Sequence, residues 1–252
     1  MDRIVEVRGV RLGEGPPKIC VSMTGKNREE LQEEAKRLLA LDLDIVEWRV
    51  DFFEACDSVE DVLDRLAELR GLLGELPLIF TFRSLREGGQ RELPTEAYLR
   101  MNREAAASGH ADLIDIELFT GDEAVREMTR ELRTLGVCSI VSNHDFDKTP
   151  PREELVSRLR RARELGGDLP KIAVMPHNAG DVLALLEATH IVASEGTGPI
   201  ITMSMDRIGA ISRVAGGTFG SALTFGAARQ ASAPGQLAAA ELRGILSALY
   251  GE

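Results

Sequence analysis

Residues 45–82 open with Ile45-Val46-Glu47-Trp48-Arg49-Val50, pass through the helical pattern Val59–Leu72, and close with Leu78-Ile79-Phe80-Thr81-Phe82. An apolar β-rich run, an amphipathic segment and a second apolar run make a β-α-β unit with parallel strands. Between the runs, Leu63, Leu66, Leu69 and Leu73 keep the three-to-four spacing of a helix facing a core. Outward from this unit the same rhythm repeats. Further strand runs are Ile19–Met23, Leu113–Ile116, Val137–Ser142, Ile172–Met175, Ile200–Met203 and Ser221–Phe225. Helical patterns lie between them at Arg28–Leu39, Glu96–Ala107, Glu123–Leu135, Arg152–Leu165 and Ala179–Ala188, with a weak one at Ile208–Val214 and a last one at Gln236–Leu249. Eight strand candidates predict an α/β protein, a closed (β/α)8 TIM barrel rather than an open sheet. No Gly-x-Gly-x-x-Gly follows the first run, which removes support for the dinucleotide-binding open sheet.

The first residues, Ile4–Leu12, alternate and then reach Gly13-Glu14-Gly15-Pro16-Pro17. They predict an N-terminal β-hairpin, within residues 1–17, closing the barrel bottom. No Pro/Ser-rich linker or shift in composition divides the chain, so one domain over residues 1–252 is expected. Residues 226–237, small and polar after the eighth strand, read as a mobile lid loop that could offer Ser232 and Gln236 to a ligand.

A formal charge of −11 argues against nucleic acid or an anionic membrane surface as partner. No apolar run is long enough for a membrane span, and charges stand where a signal peptide has its apolar stretch. A cytoplasmic protein is expected. Cys20, Cys56 and Cys138 are odd in number and widely spaced, so they give neither a disulfide framework nor a zinc pattern. Cys20 and Cys138 lie in apolar runs and read as buried thiols.

In a barrel, chemistry comes from polar side chains near the C-terminal ends of strands. Glu47, Arg49 and Asp51 share one face by the period-two rule. Asp51 reads as part of an ion-pair layer, Glu47 and Arg49 as site residues. Arg83 shares parity with Ile79 and Thr81, and either pairs with Glu47 or Glu117 or serves a ligand. Of four histidines, only His144 ends an apolar strand. It is a packing residue or, given its near-neutral titration, a proton shuttle. No His-x-His or His-Glu-x-x-His accompanies it, so metal ligation has little support.

There are five lysines, and four lie at element edges, on a helix or in a loop. Lys171 shares a face with Ala173 and Met175 instead. Two readings stand: a barrel-bottom lysine that snorkels out, or an interior amine among apolar walls and arginines, activated as a nucleophile. Met203 and Met205 have the spacing of core or pocket walls.

Six segments in register resemble the type I 3-dehydroquinate dehydratase family: 47–51, 81–84, 142–146, 171–176, 201–205 and 232–236. The resemblance spans nearly the whole chain. It implies that Lys171 forms an imine with the ketone of 3-dehydroquinate, and that His144 moves protons with Glu87 orienting it. It implies that Glu47, Arg49, Ser22 and Arg83 hold substrate hydroxyls, that Arg213 grips the carboxylate, and that Ser232 and Gln236 close over the ring. It further implies a hydro-lyase of the shikimate pathway that yields 3-dehydroshikimate, works as a homodimer and uses no cofactor and no metal. Asn143 stands where family members often carry an aromatic residue, Pro176-His177-Asn178 replaces a different polar turn, and Thr189–Gly198 is short. None of these removes a chemical group. Two other classes remain: another imine-forming barrel of aldolase type, and a non-catalytic metabolite-binding barrel. The arginine set with Ser232 and Gln236 favours a carboxylated polyol ring over an aldolase substrate. Retention of Lys171 and His144 argues against the non-catalytic barrel, although a fold alone does not establish activity.

Overall fold

In a computed structural model the described residues are 4–228 and 232–251. Arg229, Gln230 and Ala231 of the expected lid, and residues 1–3 of the expected hairpin segment, lie outside them. Strands β1 (Val5–Val7) and β2 (Val10–Leu12) pair antiparallel. Eight parallel strands follow: β3 (Lys18–Met23), β4 (Ile45–Arg49), β5 (Leu78–Thr81), β6 (Leu113–Glu117), β7 (Cys138–Asp145), β8 (Leu169–Val174), β9 (Ile201–Ser204) and β10 (Leu223–Gly226). Their spatial order is β10-β3-β4-β5-β6-β7-β8-β9. The seam between β9 and β10 is nearly closed, with one parallel bridge between Ile200 and Ser221. Ser221 Oγ also accepts the Thr202 N–H at 3.0 Å, so a side chain completes what the ladder lacks there.

The helices are α1 (Arg28–Leu38), α2 (Val59–Leu73), α3 (Thr95–Ala107), α4 (Asp122–Thr134), α5 (Arg152–Glu164), α6 (Ala179–Ala193), α7 (Asp206–Ala215) and α8 (Ala239–Tyr250). Local chemistry explains where several begin. Asn27, Ser58 and Asn178 accept the backbone N–H three residues on, satisfying a donor that has no intrahelical partner. In α2 the buried stripe is Val62, Leu66, Leu69 and Leu73, so Val62 takes the place expected of the half-buried Leu63.

Alternation along each strand divides the apolar residues between two cores. Outward-facing Val46, Trp48, Phe80 and Ile114 pack beneath the helices. Inward-facing Ile45, Ile79, Leu113, Ile140, Leu169 and Ile201 fill the lower lumen together with Val5, Val7 and Leu12 of the hairpin. The hairpin therefore closes the barrel bottom, as its alternation predicts.

Some boundaries differ from the sequence reading. Strand β8 starts at Leu169, three residues earlier than the apolar run, because Pro170 is tolerated near a strand start. Helix α7 is a full ten residues, and α8 starts three residues later than expected. His190 lies inside α6, which extends to Ala193. Cys138 is half-buried, whereas Cys20 and Cys56 are buried. No described helix is long and apolar enough to cross a membrane.

Candidate active site

Above the apolar layers the lumen becomes polar and opens into a cavity at the C-terminal ends of the strands. Of the ten expected site residues, eight line it: Glu47, Arg49, Arg83, Glu87, His144, Lys171, Ser232 and Gln236. Strand register brings them together. Ser142 pairs with Lys171 and His144 with Ala173, which sets His144 one pleat above the lysine on the neighbouring strand.

Lys171 stands two residues into β8 and is 4% exposed, so it does not snorkel out of the bottom. Its surroundings are not only apolar walls and arginines. Nζ donates to Asp115 Oδ2 at 3.2 Å, lies 3.7 Å from Glu47 Oε1, and sits 4.7 Å from the centroid of the Phe225 ring. Two carboxylates and an aromatic face thus hold the amine, which offsets the cost of burying it.

Arg83 is part of a dense ion network. Its guanidinium lies 2.8 Å from Asp115, 3.1 Å from Glu117 and 3.6 Å from Glu87, and donates to Ser142 Oγ at 3.0 Å. Arg49 donates twice to Asp51, both at 2.8 Å, so Asp51 is the ion-pair partner its position suggested. These arginines are oriented by acids and still present surface to the cavity.

His144 Nδ1 lies 2.9 Å from Glu87 Oε2, and its own backbone N–H donates to the same oxygen at 3.0 Å. Glu87 reaches this position because the chain turns sharply after it. Gly88 has φ +84°, and a Cβ there would stand 2.2 Å from the Phe146 ring. Burial pushes the Glu87 carboxyl up to about 8, with Glu117 and Asp115 adding to it against the pull of Arg83. Burial also holds the imidazole of His144 well below its ordinary value, reinforced by the cations Arg83, Lys171 and Arg49. The imidazole is therefore neutral at neutral pH and able to accept a proton.

Ser22 and Arg213 do not line the cavity. Ser22 connects its wall to the loop after β10 through one continuous chain of donors. Gln236 Nε2 donates to Ser232 Oγ at 2.9 Å, Ser232 Oγ to Ser22 Oγ at 3.0 Å, and Ser22 Oγ to Glu47 Oε2 at 2.5 Å. Arg213 is 1% exposed and lies behind Met203 and Phe225, which do line the cavity. Its Nη2 donates to Pro234 O at 2.9 Å, its Nη1 to Phe225 O at 3.4 Å, and its Nε has no hydrogen-bond partner among the described residues. Burial alone pushes its guanidinium down to about 10, and among the described residues no carboxylate pairs with it.

Sequence reasoning missed Asp115, Ser142 and Phe225. An aspartate inside the run Leu113–Ile116, in phase with Glu117, is the signal that could have found the first. Nothing local marks Ser142 or Phe225, since neither departs from its strand's pattern.

A lumenal amine beside an imidazole–carboxylate pair places the protein among (β/α)8 barrels able to form an imine and shuttle a proton next to it. Comparison with known proteins narrows this. The profile of the type I 3-dehydroquinase family matches residues 19–252, and the chain belongs to that family. It is 56% identical over 251 residues to the 3-dehydroquinate dehydratase of Bacillus licheniformis, covering 99% of each chain. It is 51% identical to that of Clostridioides difficile, covering 99% of this chain and 98% of the other. A crystal structure of type I 3-dehydroquinate dehydratase from Clostridium difficile with covalently modified comenic acid has a TM-score of 0.96 at 51% identity, with 99% of both chains covered. The enzyme from Geobacillus kaustophilus superposes equally well, TM-score 0.96 at 40% identity, over 99% of this chain and 98% of that one.

Proposed function

We infer that this protein is a hydro-lyase that eliminates water from 3-dehydroquinate to give 3-dehydroshikimate through an imine on Lys171. The observation that carries the reading is the buried Lys171 amine, one pleat below a neutral His144 backed by Glu87. Membership of the family and identities above 50% to curated 3-dehydroquinate dehydratases support the substrate.

The amine adds to the ketone, and the adduct loses water to leave a protonated imine. That group is a better electron sink than the carbonyl, so a proton leaves the adjacent carbon to His144 and an enamine forms. The enamine expels the hydroxyl one carbon further on, which takes the proton back from His144 as it departs. Hydrolysis of the product imine frees Lys171. The iminium supplies the electron sink, so this reading uses neither a metal nor an organic cofactor.

Arg213 takes the substrate carboxylate. A cation buried without an acidic partner is costly, and an incoming carboxylate relieves that cost. Glu47 and Arg49 face the ring hydroxyls, while Ser232 and Gln236 hold the loop closed through Ser22. The protein works in the cytoplasm, in the shikimate pathway, as a homodimer. Exposed Ile208, Ile211, Ile245 and Leu249 on the packed helices α7 and α8 support a contact with a second copy.

Borohydride trapping with 3-dehydroquinate, followed by peptide mass mapping, tests the reading. Label is expected on the peptide carrying Lys171, and none in Lys171→Met, which also loses turnover. Label on another residue, or full turnover by that variant, would remove the mechanism.

A further inference from the structure

Asp115 has no place in the steps above, yet it is fully buried at the centre of the polar lumen. Its two oxygens are turned to different partners. Oδ1 lies 2.8 Å from the Arg83 guanidinium and accepts the Ser142 hydroxyl at 2.6 Å. Oδ2 accepts from Lys171 Nζ at 3.2 Å. We propose that Asp115 is the counterion of the protonated imine, holding the one N–H left on the Lys171 nitrogen while the neighbouring carbon loses its proton.

The inference rests on the imine reading for Lys171 and follows from counting hydrogens. An ammonium and a ketone oxygen condense to an iminium and one water, so the nitrogen keeps one hydrogen of its three. Only one of the two carboxylates near Nζ can then stay bonded to it. Glu47 is 3.7 Å away and already accepts from Ser22 through Oε2 and from Thr81 through Oε1. Asp115 is nearer and has an oxygen aimed at the nitrogen. Imine formation therefore separates the two acids: Asp115 stays with the nitrogen, and Glu47 is left to the substrate's hydroxyls.

Charge supports the assignment. Burial by itself raises the Asp115 carboxyl, but Arg83, Lys171 and the Ser142 hydroxyl outweigh it and hold it below the ordinary carboxylate value. The group is therefore an anion at neutral pH. The other groups around this point are Arg83 just after β5, Arg49 and Glu47 from β4, Glu117 from β6, His144 from β7, Glu87 from the loop after β5 and Tyr98 from α3. Cys20 from β3 is buried, and burial raises its thiol well above the ordinary value, so it is neutral. Without Asp115, Glu47 would be the one carboxylate left beside the nitrogen among the described residues, with Glu117 held by Arg83. The iminium proton would be lost more readily, and with it the electron sink.

The test is Asp115→Asn, close to isosteric, compared with Asp115→Glu and the natural protein in the presence of 3-dehydroquinate. Cyanoborohydride, which reduces protonated imines, reads the iminium directly across pH. In Asp115→Asn, trapping at neutral pH should fall about tenfold or more, with its pH dependence displaced downward by about one unit. In Asp115→Glu the pH dependence should return while kcat stays reduced. A folded Asp115→Asn protein with the natural pH dependence overturns the counterion role alone. Absence of trapping in the natural protein overturns the imine reading, and this inference with it. If Asp115→Asn does not fold, nitrogen-15 NMR of the lysine-labelled natural protein with substrate decides. A protonated imine nitrogen from about pH 6 to about pH 9 is the expected result, and a neutral imine there overturns the proposal.

Discussion

Glu87 Oε2 holds both the backbone N–H and the ring Nδ1 of His144, at 3.0 and 2.9 Å, so one oxygen fixes the position of the imidazole. With Nδ1 carrying the proton toward Glu87, Nε2 is left as the basic nitrogen for the cavity. Glu87→Gln keeps the size but offers an amide in place of the carboxyl. We expect kcat to fall by about 10²-fold or more with imine trapping retained. Equal loss of trapping and turnover would place Glu87 in imine formation instead.

His144→Ala separates the two halves of the reaction. Borohydride should still label Lys171, while dehydration slows by about 10²- to 10⁴-fold, the usual contribution of a positioned acid–base group. Undiminished turnover would remove His144 from its role.

The pH dependence of kcat/KM should carry the mark of a depressed imidazole. His144 is held well below 6.5, and only its neutral form accepts the proton, so activity is lost as pH falls through that lowered value. The acid limb is therefore expected below pH 6.5 and absent from residual activity in His144→Ala. The sign for stability is the same. A depressed value makes the unfolded state bind more protons, so this contribution is complete above about 6.5 and declines below it. Because the Glu87 carboxyl is itself pushed up to about 8, the contradicting result is an acid limb above 6.5 that persists in Glu87→Gln.

Arg213→Ala tests the unpaired cation. Losing a charged hydrogen-bonded contact to the substrate carboxylate should raise KM by about 10- to 100-fold. Loop closure loses the bond to Pro234 O as well, so kcat should fall to a smaller extent. An unchanged KM would assign the carboxylate to another residue.

Gly88→Ala probes how Glu87 is delivered. A methyl group would overlap the Phe146 ring at a backbone angle that only glycine adopts freely. The expected cost is about 1–3 kcal/mol, a melting temperature lower by roughly 2 to 12 °C, and reduced kcat from a displaced Glu87. A calorimetric melt identical to that of the natural protein would show that Phe146 yields without cost.

The barrel was legible because strand alternation and helical spacing are local properties, readable from neighbours a few residues apart. The β-α-β unit of residues 45–82, its repetition, and the hairpin at the bottom all follow from that periodicity. Most of the site was legible for a related reason: a charged residue in phase with inward apolar ones must end in the lumen, as Glu47, Arg83 and Lys171 do. Which charges meet there was not. Lys171 facing Asp115, Arg83 among three acids, and Arg213 paired to no acid among the described residues depend on strand register and on distances across a closed barrel. Apart from Arg83 with Glu87, four residues on, these pairings join residues 32 to 56 positions apart, as from Arg83 to Asp115 and from Asp115 to Lys171, and no local pattern encodes them. Sequence determined what lines the lumen; only the closed tertiary structure decided which side chain answers which, because that depends on where eight strands stop sliding past one another.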